Sequence, residues 1–310
     1  MGETRIGVTS DIHEREYYLD AIGRHVKDSS VDALCFSGDH VGPSRTFRDK
    51  NTLDKKIESI LSKVQEDVDI ESYQRLANTY EASSLDELYT KKDELAENEK
   101  ELLDTLVEGQ RNIGEQVQDA TITTHENLRG FYDVIGGETK MFGAVGNHDL
   151  TYTNDALGIS SSGNIENLAV EAVFNTYEKP QHYSYVPPDV LPQYSLGYDV
   201  SDEDIASQFD EPEVVKKIQE GIENQSEQAQ SSDILLMHKL PGDKHPAPEY
   251  KDVDVSLRVG GHVHSDETEI WKVKNDTGRE SYCVRAGLDE YVEVVMEDDT
   301  PAYFDIYTLT

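Results

Sequence analysis

Basic residues are scarce in this sequence. Its 310 residues hold 28 Lys and Arg against 63 Asp and Glu, a formal net charge of −35. An extended cationic surface for duplex nucleic acid or for an anionic membrane is therefore not expected. A small local cationic site is compatible with the same balance. Cysteine is scarcer: Cys35 and Cys283 are the only two. Both sit in strand-like apolar runs without metal-ligand spacing, which argues against a disulfide framework. No run approaches the roughly 18 apolar residues of a membrane span. The opening MGETRIGVTSD lacks a basic segment followed by an apolar one, so no signal peptide is expected. Ile6 stands where a myristoylation pattern needs Ser or Thr. The expectation is a cytoplasmic protein with no membrane partner.

Disorder does not explain the acidity, because 17 Tyr and 7 Phe accompany many β-branched runs. The carboxylates are spread along the whole chain. That pattern reads as adaptation to molar salt, where repulsion is screened within about 3 Å and a carboxylate surface stays hydrated.

The chain opens as β-α-β: an apolar strand over 4–10, a helix over 14–28 and an apolar strand over 31–37. This favours a parallel sheet with chemistry at the strand ends. From 45 to 120 the texture is charge-dense and strand-poor. Leu53, Ile57, Ile60, Leu61, Val64 and Val68 keep helical spacing, and Ser84 with Glu87 suggests a capping box. Leu88, Leu95 and Leu102 are seven apart, which predicts a helical hairpin or short coiled coil. This segment reads as an inserted structural arm, a cap, or an element for a partner protein or a second copy.

Further on, the spacing predicts a helix near 122–135, a strand over 140–145 and a helix over 164–177. Two short strands are expected within 181–199, and a helix from Pro212 to about 230. Apolar strands at 233–237 and 255–259 precede a C-terminal region that alternates like antiparallel strands. The expected organisation is an α/β domain of residues 1–44 and 121–310, with 45–120 as a helical insertion.

Polar residues cluster behind the predicted strands. Asp11 and His13 follow the first and Gly38-Asp39 the second. Gly146-Asn147-His148-Asp149 follows the strand at 140–145. His238 ends the strand at 233–237, and Gly261-His262-Val263-His264 follows that at 255–259. Strand ends of an open α/β sheet share one crevice. Without His148, the set is two carboxylates, one amide oxygen and four imidazoles. That mixture suits Mn, Fe or Zn and fits neither a Ca²⁺ cage nor an iron–sulfur cluster. A carboxylate can bridge two cations about 3.5–4 Å apart.

The ordered motifs DxH, GD, GNHD, a lone His and GHVH resemble those of the calcineurin-like metallophosphoesterases. The likeness covers 4–44 and 122–264, and the C-terminal strands more loosely. It implies a two-sheet α/β sandwich and a centre of two divalent ions, with Mn²⁺ favoured over Fe or Zn. It implies that Asp11, His13, Asp39 and His264 hold one ion. Asp39, Asn147, His238 and His262 would hold the other, with Asp39 bridging. His148 would stabilise phosphoryl oxygens or protonate the leaving group, and Asp149 would orient His148 or cap its loop. Arg15 and Arg45 lie beside ligand segments and would clamp a phosphate, unless they are simply ion-paired. Glu14 and Gly42 depart from the family's common residues.

The expected activity is hydrolysis of phosphate esters, diesters foremost, by a hydroxide bound at the metal centre. The substrate would be a small phosphate ester or a nucleotide. A nuclease acting on DNA or RNA ends is the alternative within the class. An interaction scaffold on a phosphoesterase core is the alternative outside it.

Overall fold

The first strand, β1 (Glu3–Thr9), lies between two others: it runs parallel to β2 (Ala33–Phe36) and antiparallel to β10 (Glu290–Glu297). The computed structural model describes residues 3–41, 55–56, 59, 70–82, 85–149, 153–173, 212–243 and 250–309. Arg45, the strands expected within 181–199, and most of the helix expected over 53–68 lie outside these residues, as does the Ser84 cap.

Two mixed sheets form an α/β sandwich. One has the order β11-β10-β1-β2-β3, with β3 at Lys140–Gly143 and β11 at Thr300–Thr308. The other has the order β4-β5-β6-β7-β9-β8. Its strands are β4 (Ser162–Ile165), β5 (Leu168–Ala172), β6 (Ile234–Leu236), β7 (Leu257–Gly260), β8 (Glu269–Lys274) and β9 (Glu280–Arg285).

Alternation along the strands decides which layer each side chain joins. Ile6, Val8, Ala33 and Cys35 face Ile234, Leu236, Leu257 and Val259 in the core between the sheets. On the other face of the first sheet, Leu34 and Phe36 pack with Tyr18 and Ile22 of α1 (Glu16–Asp28). Leu128, Tyr132 and Ile135 join them from the last turns of a long helix that ends at Gly136. On the outer face of the second sheet, Leu235 and Cys283 pack with Ala229, the last residue of a helix that begins at Pro212. The order of layers is helix, sheet, sheet, helix. Strands buried on both faces read as apolar runs, as β2 and β6 do, while β1 and β7 carry Arg5 and Arg258 within theirs.

The chain divides into two compact units: Met1–Asn51, Thr124–Lys179 and Gln193–Thr310 form one, Thr52–Thr123 and Pro180–Pro192 the other. In the second, α2 (Ile70–Thr79), α3 (Leu85–Thr90) and the start of α4 (Glu97–Gly136) share a small core of Leu76, Leu88, Leu95 and Leu103.

Two expectations are corrected. The heptad of Leu88, Leu95 and Leu102 is not one helical stripe. The helix stops at Thr90, a 3₁₀ turn spans Lys92–Glu94, and α4 starts at Glu97. The leucines come from separate segments, and the expected helix over 122–135 is the end of α4. The second correction concerns 164–177. Residues 162–172 are the antiparallel hairpin β4–β5, turning at Glu166 with φ 52°. The helical spacing lost because Val170 pairs in parallel with Ile234, while Ile165, Leu168 and Val170 enter the core. Two further helices among the described residues are α5 (Thr153–Leu157) and α6 (Pro212–Ala229). Among the described residues no helix is long and apolar enough to cross a membrane.

Candidate metal centre

The strand ends converge as the open-sheet rule requires. Asp11 and His13 follow β1, Asp39 follows β2, Asn147 follows β3, His238 follows β6, and His262 and His264 follow β7. Tight turns aim these side chains inward. Asp11, His13, Glu14, Asp39 and His262 all have positive φ, between 44° and 70°. Such a concentration of left-handed, non-glycine backbone marks a place where the surrounding structure holds strain. Glycine is required where the turns touch. A Cβ on Gly146 would lie 2.1 Å from Asp39 Oδ1, and one on Gly261 2.6 Å from Asp11 Oδ2.

Asp11, His13, Asp39 and His264 each present one ligand atom, all within 4.8 Å of one another. His13 Nε2 stands 3.0 Å from His264 Nε2 and 3.5 Å from Asp39 Oδ2. His264 Nε2 is 3.4 Å from Asp11 Oδ1. A second group adjoins the first. His238 Nε2 lies 2.9 Å from Asn147 Oδ1 and 3.3 Å from Asp39 Oδ2, and His262 Nδ1 lies 3.1 Å from Asn147 Oδ1. Asp39 Oδ2 belongs to both groups.

The donor set fits divalent cations. Bonds of about 2.1 Å to nitrogen or oxygen place neighbouring ligand atoms about 3.0 Å apart in an octahedron and about 3.4 Å in a tetrahedron, close to the separations above. The ring of His238 adds to this. Its Nδ1 lies 2.7 Å from the Ser37 carbonyl oxygen and donates to it. In the neutral ring Nε2 is then a lone pair, aimed at an amide oxygen and a carboxylate. A cation satisfies all three, and a carbonyl behind the ring is the usual way to fix such a ligand.

The electrostatics agree. Burial works against charge on both carboxylates. His264 and His238 outweigh it at Asp11, as do His238 and His148 at Asp39, and both stay below the ordinary carboxylate range. Burial holds His13 neutral, with a pKa of about 3, and burial with His238 and Lys239 takes His262 to about 2. These rings are ready to donate lone pairs. His238 is raised to about 9: burial opposes its charging, but Asp39 and its hydrogen bond prevail. The pocket calls for positive charge, as a proton or as a metal ion.

The remaining expected residues separate by what they touch. The His148 ring lies 5.5 Å from that of His13, and its backbone N–H donates to Asp39 Oδ1 at 3.0 Å. Asp149 accepts backbone N–H groups from His40 (2.8 Å) and Val41 (3.1 Å) on Oδ1, and from Gly146 (2.9 Å) on Oδ2. It ties the Asp39 loop to the Asn147 loop, the work of a loop cap. Burial and Asp39 push its pKa up to about 7, against those donors and His238. Arg15 is buried, and its guanidinium donates to the carbonyls of Ile12 (3.1 Å), Asp11 (2.9 Å) and Leu288 and to Asp289 Oδ1 (2.9 Å). These bonds are those of an ion-paired arginine that also serves backbone carbonyls.

Sequence spacing did not single out His40 or Tyr132 for the site. His40 is fully buried and its Nδ1 lies 2.7 Å from Tyr132 Oη, beneath the Asp39 turn. Only its place next to Asp39 hinted at this.

No protein-family model matches the sequence, and no curated protein matches it. Similarity appears among solved structures. One crystal structure aligns over 100% of this chain and 100% of its own, at 11% identity with a TM-score of 0.51. A second, the crystal structure of TT1561 of Thermus thermophilus, aligns over 100% of both chains at 9% identity with a TM-score of 0.47. At such identities the first likeness speaks for the fold alone, and the second carries no argument. The fold is a two-sheet α/β sandwich, shared with the first of these structures.

Proposed function

We propose that this protein is a metal-dependent phosphoesterase that hydrolyses phosphate esters, with diesters of nucleotide size as its main substrates. One observation carries the reading. Asp39 Oδ2 stands between His13 Nε2 at 3.5 Å and His238 Nε2 at 3.3 Å, which suits a carboxylate shared by two cations. Asp11, His13, Asp39 and His264 would hold one ion, and Asp39, Asn147, His238 and His262 the other. When bound, such a pair supplies positive charge to phosphoryl oxygens and makes water acidic enough, at a pKa of about 7, to react near neutrality.

The protein's own groups do the rest. Neutral His13 and His262 keep their lone pairs turned inward without competing protons. Asp149 holds the two central loops at a fixed spacing. The His148 side chain is only partly buried and stands beside the first group of ligands. From there it donates a proton to the leaving oxygen, where negative charge develops.

Metal analysis of the purified protein, with hydrolysis of bis-p-nitrophenyl phosphate against p-nitrophenyl phosphate, tests the reading. Two equivalents of Mn²⁺, Fe or Zn per chain and faster cleavage of the diester are expected. Bound metal without turnover of either ester, in high salt with Mn²⁺, would replace the enzyme by an interaction protein built on this fold.

A further inference from the structure

Arg15 lies one residue beyond a turn in which Asp11, His13 and Glu14 have φ of 51°, 44° and 59°. Left-handed backbone is strained for residues other than glycine, so something must hold this turn closed. The Arg15 side chain is in position to do so. Its Nη2 and Nε donate to the carbonyls of Asp11 and Ile12, within the strained turn. Its Nη1 reaches out to the Leu288 carbonyl and to Asp289. The guanidinium lies over the Tyr18 ring at 4.4 Å, and the Tyr18 hydroxyl donates to the Glu290 carbonyl.

The far end of this clasp leads to the other half of the same ion site. The Leu288 N–H donates to the Ser265 carbonyl at 2.9 Å, and the Thr268 N–H donates to Glu290. Ser265 follows His264 directly. One residue, Leu288, is therefore hydrogen-bonded through its carbonyl to the arginine that closes the Asp11–His13 turn. On the other side it is bonded to the segment that carries His264.

We infer that Arg15 is a positioning residue that sets the distance between the Asp11/His13 turn and His264 through the 288–290 loop, and so sets the affinity of one ion site of the proposed pair. The fork geometry of the guanidinium is what matters, since its five donors at fixed spacing reach all four acceptors at once and the three donors of an ammonium cannot. The inference rests on the proposed metal centre, but it fails separately from it.

The experiment is titration of the metal-free protein with Mn²⁺ and, separately, Zn²⁺ by calorimetry, for wild type, Arg15→Lys and Arg15→Gln. Wild type should show two binding events; if it shows none, the metal centre itself is refuted. If it shows two, both variants should lose about 10-fold or more in one event, in the range of groups that orient metal ligands, and keep the other. Equal affinities in wild type and variants would overturn the inference. So would retention by Arg15→Lys of the wild-type affinity, which would make positive charge alone the active feature. A raised KM for a phosphate ester with unchanged metal binding would return Arg15 to phosphate contact and overturn it as well. Should neither variant fold, Asp289→Ala serves, because Asp289 is exposed at the surface. It removes one acceptor of Arg15 and should weaken the same event by about 2–3-fold, as for an ion pair with one exposed partner. No change there would also defeat the inference.

Discussion

The backbone N–H of His148 donates to Asp39 Oδ1 at 3.0 Å. This bond divides the labour of one carboxylate: Oδ1 is anchored by the loop that carries His148 and Asn147, and Oδ2 is left to face His13 and His238. It also divides His148 itself, whose backbone holds Asp39 while its ring lies beside His13 and is left for the acid role proposed above.

The first prediction follows from Oδ2. Asp39→Asn should remove more metal than a change at any other ligand, because one oxygen serves both groups. An amide also carries no negative charge to offset two cations. Metal content by plasma emission across single ligand variants checks this. Two ions per chain in Asp39→Asn would refute the sharing of Asp39.

The second prediction concerns the ring of His148. His148→Gln should keep the backbone bond to Asp39 and therefore the metals. It should lower turnover by about 10²-fold or more, in the range of general acid catalysis. The loss should shrink with a good leaving group such as p-nitrophenolate, which departs without a proton. Equal losses for good and poor leaving groups would assign the ring to electrostatic stabilisation instead.

The third prediction separates loop capping from orientation of His148. In Asp149→Asn one oxygen becomes an NH₂ group, which must face either Gly146 N–H or the pair from His40 and Val41. A buried donor left without an acceptor costs about 1–3 kcal/mol. The variant should melt lower and bind metal more weakly even without substrate. Unchanged melting and metal binding, with reduced turnover alone, would return Asp149 to the orientation of His148.

How far the sequence reached can be judged from particular residues. Runs such as Ala33–Phe36 and Ile234–Leu236 are buried throughout, so periodicity had nothing to confuse and the strand ends could be placed. The hairpin at 162–172 was misread because its apolar positions suit a helix locally, and only pairing with Ile234–Leu236 decides against one. The continuity of α4 was hidden by its low apolar content. The loop cap of Asp149 and the ion pairing of Arg15 could be read from the sequence only as alternatives to other roles, for a different reason. Apart from the Asp289 carboxylate, their partners are backbone groups, common to every residue, and the left-handed turns that expose them fall mostly on Asp, His and Glu rather than on glycine.

The fourth prediction is a pH effect outside the site. Cys35 lies in the core between the sheets, and burial pushes its thiol up to about 12 from 9.0. The folded state then keeps a proton that the unfolded chain releases. This contribution is complete below pH 9 and is lost as pH rises from 9 towards 12. It amounts to at most about 4 kcal/mol at 1.36 kcal/mol per unit. Denaturant melts from pH 8 to 11 should show stability falling in wild type and falling less steeply in Cys35→Ala. Parallel slopes would mean that the thiolate is accommodated after all.

The last prediction concerns salt and the two units taken separately. A chain of net charge −35 repels itself more strongly as the screening length grows from about 3 Å at 1 M to about 30 Å at 0.01 M. The sandwich opposes that repulsion with three buried apolar layers, and metal binding to its folded state would add to this. The helical unit has a described core of four buried leucines, at positions 76, 88, 95 and 103. Lowering KCl at constant Mn²⁺ should therefore release amides of α2, α3 and the first turns of α4 to hydrogen exchange before those of β1, β2 and β6. Protection of the helices that outlasts the strands would overturn this ranking of the two cores. Equal stability in molar and millimolar KCl would mean that the acidity is not an adaptation to salt, and a cationic partner would become its better explanation.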